Sequence, residues 1–436
     1  MGCFIELKKL FQMVERSVIS WNILISACFS AGELFRVIHF FRIMVAEFNP
    51  SLESLTLVIS ALTKPQDFSK GQQIHCHALK SGKFDIILQS SLVDFYAKCA
   101  DLSSCFSLFE DSKTENRDIP WVAMMRAFVQ NGKFTQVIDL HHNMLSLGFE
   151  PSVDALSCLI TACSNLGALL FGKAVHSYLI RHLLSADFKT ETFGTSLLSM
   201  YAKCGILPLA WRCFKNMACR DTIAWSAMIE AFAIHGIGLK ALELFNQMIE
   251  EGTKPNSTTF LSLLSCCSHS GLLSEGCQLF CLMTQKFSIK PQLSHYTCMV
   301  DLLARAGKLI EALNLIHSMD MRPDGRIWGA LLASCRVHQN LNIGSFAAQR
   351  LFKLEPENMG YHIVSSAIHV NPSVEAEQIW KFMNEMEFKG RPGWSFFEEK
   401  GGFSIFVAGD YSHLQMQEIY RVLSCLGKNM EENYYL

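Results

Sequence analysis

At 436 residues the chain exceeds the length at which a single hydrophobic core usually stops growing, which leaves several domains or a repeat array. Half of the residues are hydrophobic and 18% are charged, which excludes a disordered or low-complexity chain. The formal net charge of −2 excludes nucleic-acid binding through overall basicity, so any such contact needs local cations.

The chain opens without a secretory signal or an Arg/Ser-rich transit segment. Residues 10–17 read like the end of a helical unit and match 213–221 in pattern. Residues 1–17 are therefore expected to be the remnant of a truncated short repeat. Four tryptophans then open similar segments: Trp21, Trp121, Trp225 and Trp328, separated by 100, 104 and 103 residues. A second segment recurs as Tyr96-Ala97-Lys98-Cys99 and Tyr201-Ala202-Lys203-Cys204, with Leu303-Ala304-Arg305-Ala306 in the third copy. A third segment places Gly71 four residues before His75 and Gly172 four before His176. Three segments recur in one order, so each unit is about 31–36 residues long. Within a unit, apolar residues at helical spacing run up to a glycine and then resume, as from Trp225 through Gly236 to Glu250. Gly32, Gly132, Gly205, Gly236 and Gly307 mark the turn, and Pro151, Pro255 and Pro323 close the second helix. One hairpin cannot bury its apolar face alone, but stacked copies share a continuous core. The expected fold is all-α, a right-handed α-solenoid of helix-turn-helix repeats with a short C-terminal extension.

No two of the seventeen cysteines are three apart, so no C-x-x-C metal pair exists. They lie scattered in apolar helical segments and read as buried thiols of a reducing compartment. No metal or cofactor is expected. No apolar run reaches about 18 residues, so no membrane helix is expected either.

The recurring segments resemble the pentatricopeptide repeat family, and specifically its plant organellar branch with alternating standard, long and short repeats. The resemblance covers nearly the whole chain. It implies a repeat array over 18–324 and an E-type extension over 325–396, carried by the segment from Trp328 to Asn358 and by Pro392-Gly393-Trp394-Ser395. An E-plus-like tail over 397–436 carries Asp410 and His413. Trp394 stands where the family usually has Cys, and the turn Lys400-Gly401-Gly402 is short. Tetratricopeptide repeats share the period, but their Trp-Leu-Gly-Tyr pattern is absent.

Repeats of this kind read one base each with two or three side chains. By resemblance these are the fifth and the last residue of each unit, which pairs Asn22 with Ser51, Ser90 with Asp118 and Thr195 with Asp221. The same rule pairs Ser226 with Asn256 and Thr297 with Asp324. The family's code implies guanine for Ser or Thr with Asp, adenine for Ser or Thr with Asn, and cytosine for Asn with Ser. Val122 with Ser152 departs from that code. Ser, Thr, Asn and Asp at helix starts are also ordinary N-caps, and both roles stay open here. Lys98, Lys203 and Arg305 share one register and suit phosphate tracking, or a solvated cation favoured by the helix dipole. Ile19, Ile87 and Ile223 either flank bases or pack into the core, with core the simpler assignment. The tryptophans read as packing residues.

A deaminase would need His-x-Glu followed by Pro-Cys-x-x-Cys, and neither motif occurs. The chain is therefore expected not to be an enzyme. The resemblance implies binding of single-stranded organellar RNA, in a mitochondrion first and a chloroplast second. It further implies a site-recognition role in C-to-U editing with a deaminase partner recruited through the extension. A splicing or stability factor and a protein-binding scaffold are the alternatives.

Overall fold

Short polar residues start many of the helices. In the computed structural model Ser17, Ser51 and Asn256 each accept the backbone N–H of the third helical residue and donate their own N–H to its side chain, closing a capping box. Asp85, Asp221 and Asp324 cap with a carboxylate oxygen. The structure describes residues 17–64, 66–112, 118–183, 191–355, 394–399, 402–407 and 416–433. Residues 1–16 of the expected remnant at 1–17 lie outside them, as do Asp410, His413 and residues 356–393 of the expected E-type extension.

The chain divides into two compact units, residues 1–206 and 207–436. The first contains α1 (Val18–Ser30), α2 (Leu34–Glu47), α3 (Leu52–Thr63), α4 (Phe68–Lys80), α5 (Ile86–Lys98) and α6 (Leu102–Ser112). It continues with α7 (Ile119–Gln130), α8 (Phe134–Ser146), α9 (Val153–Leu166), α10 (Leu169–Leu183) and α11 (Glu191–Lys203). The second contains α12 (Leu207–Lys215), α13 (Thr222–Ile234), α14 (Gly238–Glu250), α15 (Ser257–Ser270), α16 (Leu273–Gln285) and α17 (Leu293–Arg305). After α18 (Leu309–His317), α19 (Gly325–Val337) and α20 (Leu341–Leu354) it ends in a hairpin and a helix. The hairpin pairs β1 (Trp394–Glu399) antiparallel with β2 (Gly402–Val407), and the helix is α21 (Met416–Asn433).

In each unit every hairpin packs its two helices together and stacks its first helix on the first helix of the next hairpin. The layer α1, α3, α5, α7, α9, α11 and the layer α13, α15, α17, α19 are thus continuous within their units. This is the expected all-α helical-repeat solenoid. The hairpin of β1 and β2, in the tail, had no counterpart in the sequence reading beyond its glycine-rich turn. All five predicted turn glycines adopt positive φ, from 67° to 84°, which a Cβ would oppose. Ala100 takes the same left-handed turn at φ 61° after α5, where Gly205 serves after α11.

The four repeat tryptophans are core residues, 0–5% exposed, wedged between helices. Phe109 meets Trp121 edge-on at 4.9 Å, and Phe214 meets Trp225 at 5.0 Å. Among the described residues no disulfide joins the cysteines. Burial pushes Cys105 and Cys267 up to about 12, which keeps them protonated and inert.

The Gly-x-x-x-His and Tyr-Ala-Lys-Cys segments prove to be two halves of one contact. A Cβ on Gly71 would lie 2.0 Å from Phe95, and one on Gly172 would lie 2.4 Å from Met200. Gly276 stands against Leu302 in the same way, at 2.3 Å. The absent side chain lets α4 close on α5, α10 on α11 and α16 on α17. One turn further on, His75 Nδ1 lies 3.0 Å from the Tyr96 hydroxyl and His176 Nδ1 lies 2.7 Å from that of Tyr201. Burial lowers both histidine pKa values and so favours the neutral ring that this bond uses. Gly71→Ala should therefore destabilise the first unit by about 1–3 kcal/mol through overpacking against Phe95. The urea midpoint of the full chain measures this; an unchanged midpoint would show that the ring moves aside freely.

Candidate nucleic-acid interface

Two of the five pairs expected to read bases, Asn22 with Ser51 and Ser226 with Asn256, are joined through capping boxes. Asn22, on the second turn of α1, donates from Nδ2 to Ser51 Oγ at 2.9 Å and to Glu53 Oε2 at 3.0 Å. Its Oδ1 accepts from Ser54 Oγ at 2.6 Å. In the second unit Ser226 Oγ lies 2.8 Å from Thr259 Oγ1, which in turn donates to Asn256 Oδ1 at 3.1 Å. Ser54 and Thr259 are both the third residue of their helices, and both close a capping box. One side chain therefore orients the N-cap and bridges it to the fifth residue of the preceding repeat. The two roles left open by the sequence coincide: Ser51 and Asn256 are caps, and they join the network of the predicted reader.

The other pairs differ. Ser90 and Asp118 line one cavity with Asp94, Ile119, Val122, Ala123, Arg126 and Asp154. Ser90 bonds back to the Ile86 carbonyl at 2.8 Å, and Asp118 makes no side-chain cap bond. Thr297 Oγ1 donates to the Leu293 carbonyl at 2.8 Å, while Asp324 holds the Ile327 N–H at 3.2 Å. Among the described residues no hydrogen bond joins Thr297 to Asp324. Residue 327, the third of its helix, is an isoleucine and cannot bridge. Thr195 lies half-buried on α11 of the first unit, and Asp221 caps α13 of the second.

The aliphatic residues beside Asn22, Ser90 and Ser226 are not core. Ile19 is 72% exposed, Ile87 57% and Ile223 64%, which overturns their assignment to the core. They are the second residues of their helices and lie outward on the open face of the layer, where packing into the next repeat is not available.

Lys98, Lys203 and Arg305 end α5, α11 and α17 and all point to solvent. Lys98 pairs with Asp94 at 3.0 Å and Arg305 with Asp301 at 2.9 Å, each one turn back. Lys203 has Ser199 in that place and, among the described residues, forms no ion pair. Exposed pairs of this kind are worth about 0–1 kcal/mol, so a phosphate can replace the carboxylate at small cost.

Three residues of this surface carried no sequence signal. Glu53 and Asp154 are the second residues of α3 and α9, and both reach back to the hairpin before them. Glu53 takes Asn22, and Asp154 takes Arg126 Nη2 at 2.7 Å. Among the described residues no cluster of three metal-capable side chains exists, and no helix is long and apolar enough to cross a membrane.

Profiles of the PPR repeat match residues 19–47, 119–149, 258–286 and 294–322, and that of the PPR repeat family matches 220–269. A mitochondrial pentatricopeptide repeat-containing protein of Arabidopsis thaliana is 33% identical over 99% of this chain and 70% of its own length. The chain belongs to the pentatricopeptide repeat family. A second mitochondrial pentatricopeptide repeat-containing protein of the same plant is 33% identical over 97% of this chain and 65% of its own. The chain thus spans about two thirds of the length of these relatives, at 70% and 65%. In fold it is similar to the pentatricopeptide repeat protein PPR10, solved in complex with an 18-nt psaJ RNA element. That likeness has a TM-score of 0.59 at 17% identity and covers 87% of this chain and 61% of that one. The matched segment at 220–269 contains the Ser226, Thr259 and Asn256 network whole.

Proposed function

We propose that this pentatricopeptide repeat protein binds single-stranded RNA sequence-specifically in a plant mitochondrion, as a non-catalytic factor. The observation that carries the reading is the recurrence, in both units, of a fifth residue linked through one bridging hydroxyl to the cap of the next helix. A protein-binding scaffold has no need of that repeated polar register. Exposed isoleucines beside Asn22, Ser90 and Ser226 supply an apolar wall for a base face, and the structure of PPR10 with RNA gives a precedent on the same fold. The mitochondrial names of the relatives support the compartment.

Beyond RNA binding, we read the chain as a site-recognition factor for C-to-U editing, of the branch with alternating repeats and E-type extensions. The repeats hold the RNA 5′ of the target cytidine, and residues 325–436 recruit a deaminase in trans. Sequencing organellar transcripts from a plant lacking the protein tests this part. One unedited cytidine supports it, whereas altered splice junctions or transcript ends at full editing remove it.

The RNA reading itself has a quantitative consequence. Three phosphate contacts on a single strand release counterions, so log K should fall against log salt with a slope of about −2. Filter binding with random single-stranded RNA measures the slope. Replacing Lys98, Lys203 and Arg305 together by glutamine should bring it near zero, and a slope unchanged in that variant would displace phosphate contact from these three residues.

A further inference from the structure

Pairs that contain an asparagine are built differently from pairs that end in an aspartate. Ser54, third residue of α3, accepts the Ser51 N–H at 3.1 Å and donates its own hydrogen to Asn22 Oδ1 at 2.6 Å. Thr259, third residue of α15, accepts the Asn256 N–H at 3.1 Å and donates to Asn256 Oδ1 at 3.1 Å. It also meets Ser226 Oγ at 2.8 Å. Ser54 and Thr259 are both fully buried. An asparagine side chain has two unlike ends of nearly the same shape, one acceptor and one donor, so it reads a base only when something decides which end faces it. In both networks the bridging hydroxyl takes the carbonyl end. A carboxylate needs no such decision, because its two oxygens are alike. The expected pairs ending in Asp118, Asp221 and Asp324 have Trp121, Ala224 and Ile327 at the same third position. Alanine and isoleucine have no polar group to bridge with, and the buried Trp121 Nε1 has no hydrogen-bond partner.

The junction of α7 with α9 lacks both the asparagine and the bridge. Val122 stands at the fifth place, Ser152 at the last, Asp154 where α3 has Glu53, and Ala155 at the third. Ser152 makes no side-chain cap bond, and its Oγ is buried without a hydrogen-bond partner. The cap residue is kept here while the two groups that would engage it are missing.

We propose that Ser54 and Thr259 are specificity-determining positioning residues, each holding a reading asparagine in one of its two amide orientations. Repeats that read with an amide then use three residues, and repeats that read with a carboxylate use two. This rests on the RNA-binding reading and adds to it a residue outside the fifth and last positions of each unit. Neither hydroxyl is accessible to a base, so each acts only through Asn22, or through Ser226 and Asn256. The backbone N–H of Thr259 also holds Asn256 Oδ1, at 2.9 Å, and keeps the helix cap without help from the hydroxyl. What the hydroxyl adds is a second bond to that oxygen and the link to Ser226, so its loss falls on discrimination rather than on the cap.

The test uses the full chain and selection from a pool of random single-stranded RNA. Thr259→Val keeps the side-chain volume and the backbone N–H. It should weaken the preference at one position of the enriched sequence about 2- to 10-fold, the worth of one hydrogen bond, and leave the other positions unchanged. Thr259→Ser returns the hydroxyl and should restore that preference. The converse experiment adds a reader. Val122→Asn combined with Ala155→Ser completes the arrangement of Asn22, Ser51 and Ser54, with Ser152 already in place. The double variant should gain a base preference at one further position, several-fold sharper than Val122→Asn alone. If Thr259→Val does not fold, which a thermal melt shows, the comparison at Val122 decides. Unchanged selection by Thr259→Val, or a preference gained equally by Val122→Asn alone, overturns the proposal. So does equal weakening of every sequence by Thr259→Val, which is how a scaffold residue behaves. Failure of the natural protein to enrich any sequence would instead overturn the RNA-binding reading, and this inference with it.

Discussion

Trp225→Ala should cost the second unit about 3–5 kcal/mol of stability, the usual cost of emptying a large aromatic site. Trp225 is fully buried, and Phe214 of α12 meets its ring edge-on at 5.0 Å and 77°. Removing the indole strips that contact and opens a cavity between α12 and α13. Arg220 lies 5.2 Å over the Phe214 ring that is left behind. The urea midpoint of the full chain reads the loss. A platform for base stacking would behave in the opposite way: stability spared, and RNA affinity lowered by about 1–3 kcal/mol for the lost base. The folded variant should instead keep the sequence preference of the natural protein.

Asn256→Asp should exchange one adenine preference for guanine and leave stability nearly unchanged. Asn256 caps α15 and accepts from the Thr259 N–H at 2.9 Å and from its hydroxyl at 3.1 Å, both through Oδ1. An aspartate keeps that acceptor, and the two residues are equivalent as N-caps. What changes is the other atom of the group, from an amide donor to a carboxylate acceptor. A donor suits the N1 atom of adenine, and an acceptor suits N1–H of guanine. Selection from random RNA should show the exchange at one position, with about 5- to 100-fold discrimination for a well-formed pair. Loss of binding at every position would place Asn256 in the scaffold rather than in the reading set.

The fold was largely legible because a repeat writes its period several times. The glycines at 32, 132, 205, 236 and 307 mark real left-handed turns, and the tryptophans are the buried residues their spacing suggested. Helical periodicity carries less within one first helix, since α1 and α13 pack on neighbours along most of their circumference. Ile19 and Ile223 then look like further core residues, and only the folded structure places them outward. Contacts between repeats were invisible for a different reason. His75 and Tyr96 are 21 residues apart and Asn22 and Ser51 are 29 apart, distances at which no sequence rule of helix geometry acts. Both halves of the glycine–histidine and tyrosine motif could be read, but not that they touch. Glu53, Arg126 and Asp154 were passed over because a single charge on a helix face resembles any solvated charge.

The account stands on neighbouring repeats offering matched polar pairs to successive nucleotides. Cross-linking the protein to RNA in living plant tissue, then sequencing what is recovered, tests this most directly. A short segment of one mitochondrial transcript, with the cross-links confined to a single-stranded stretch, is the result the account predicts. Recovery of no RNA above an untagged control, alongside stable protein partners, would contradict it.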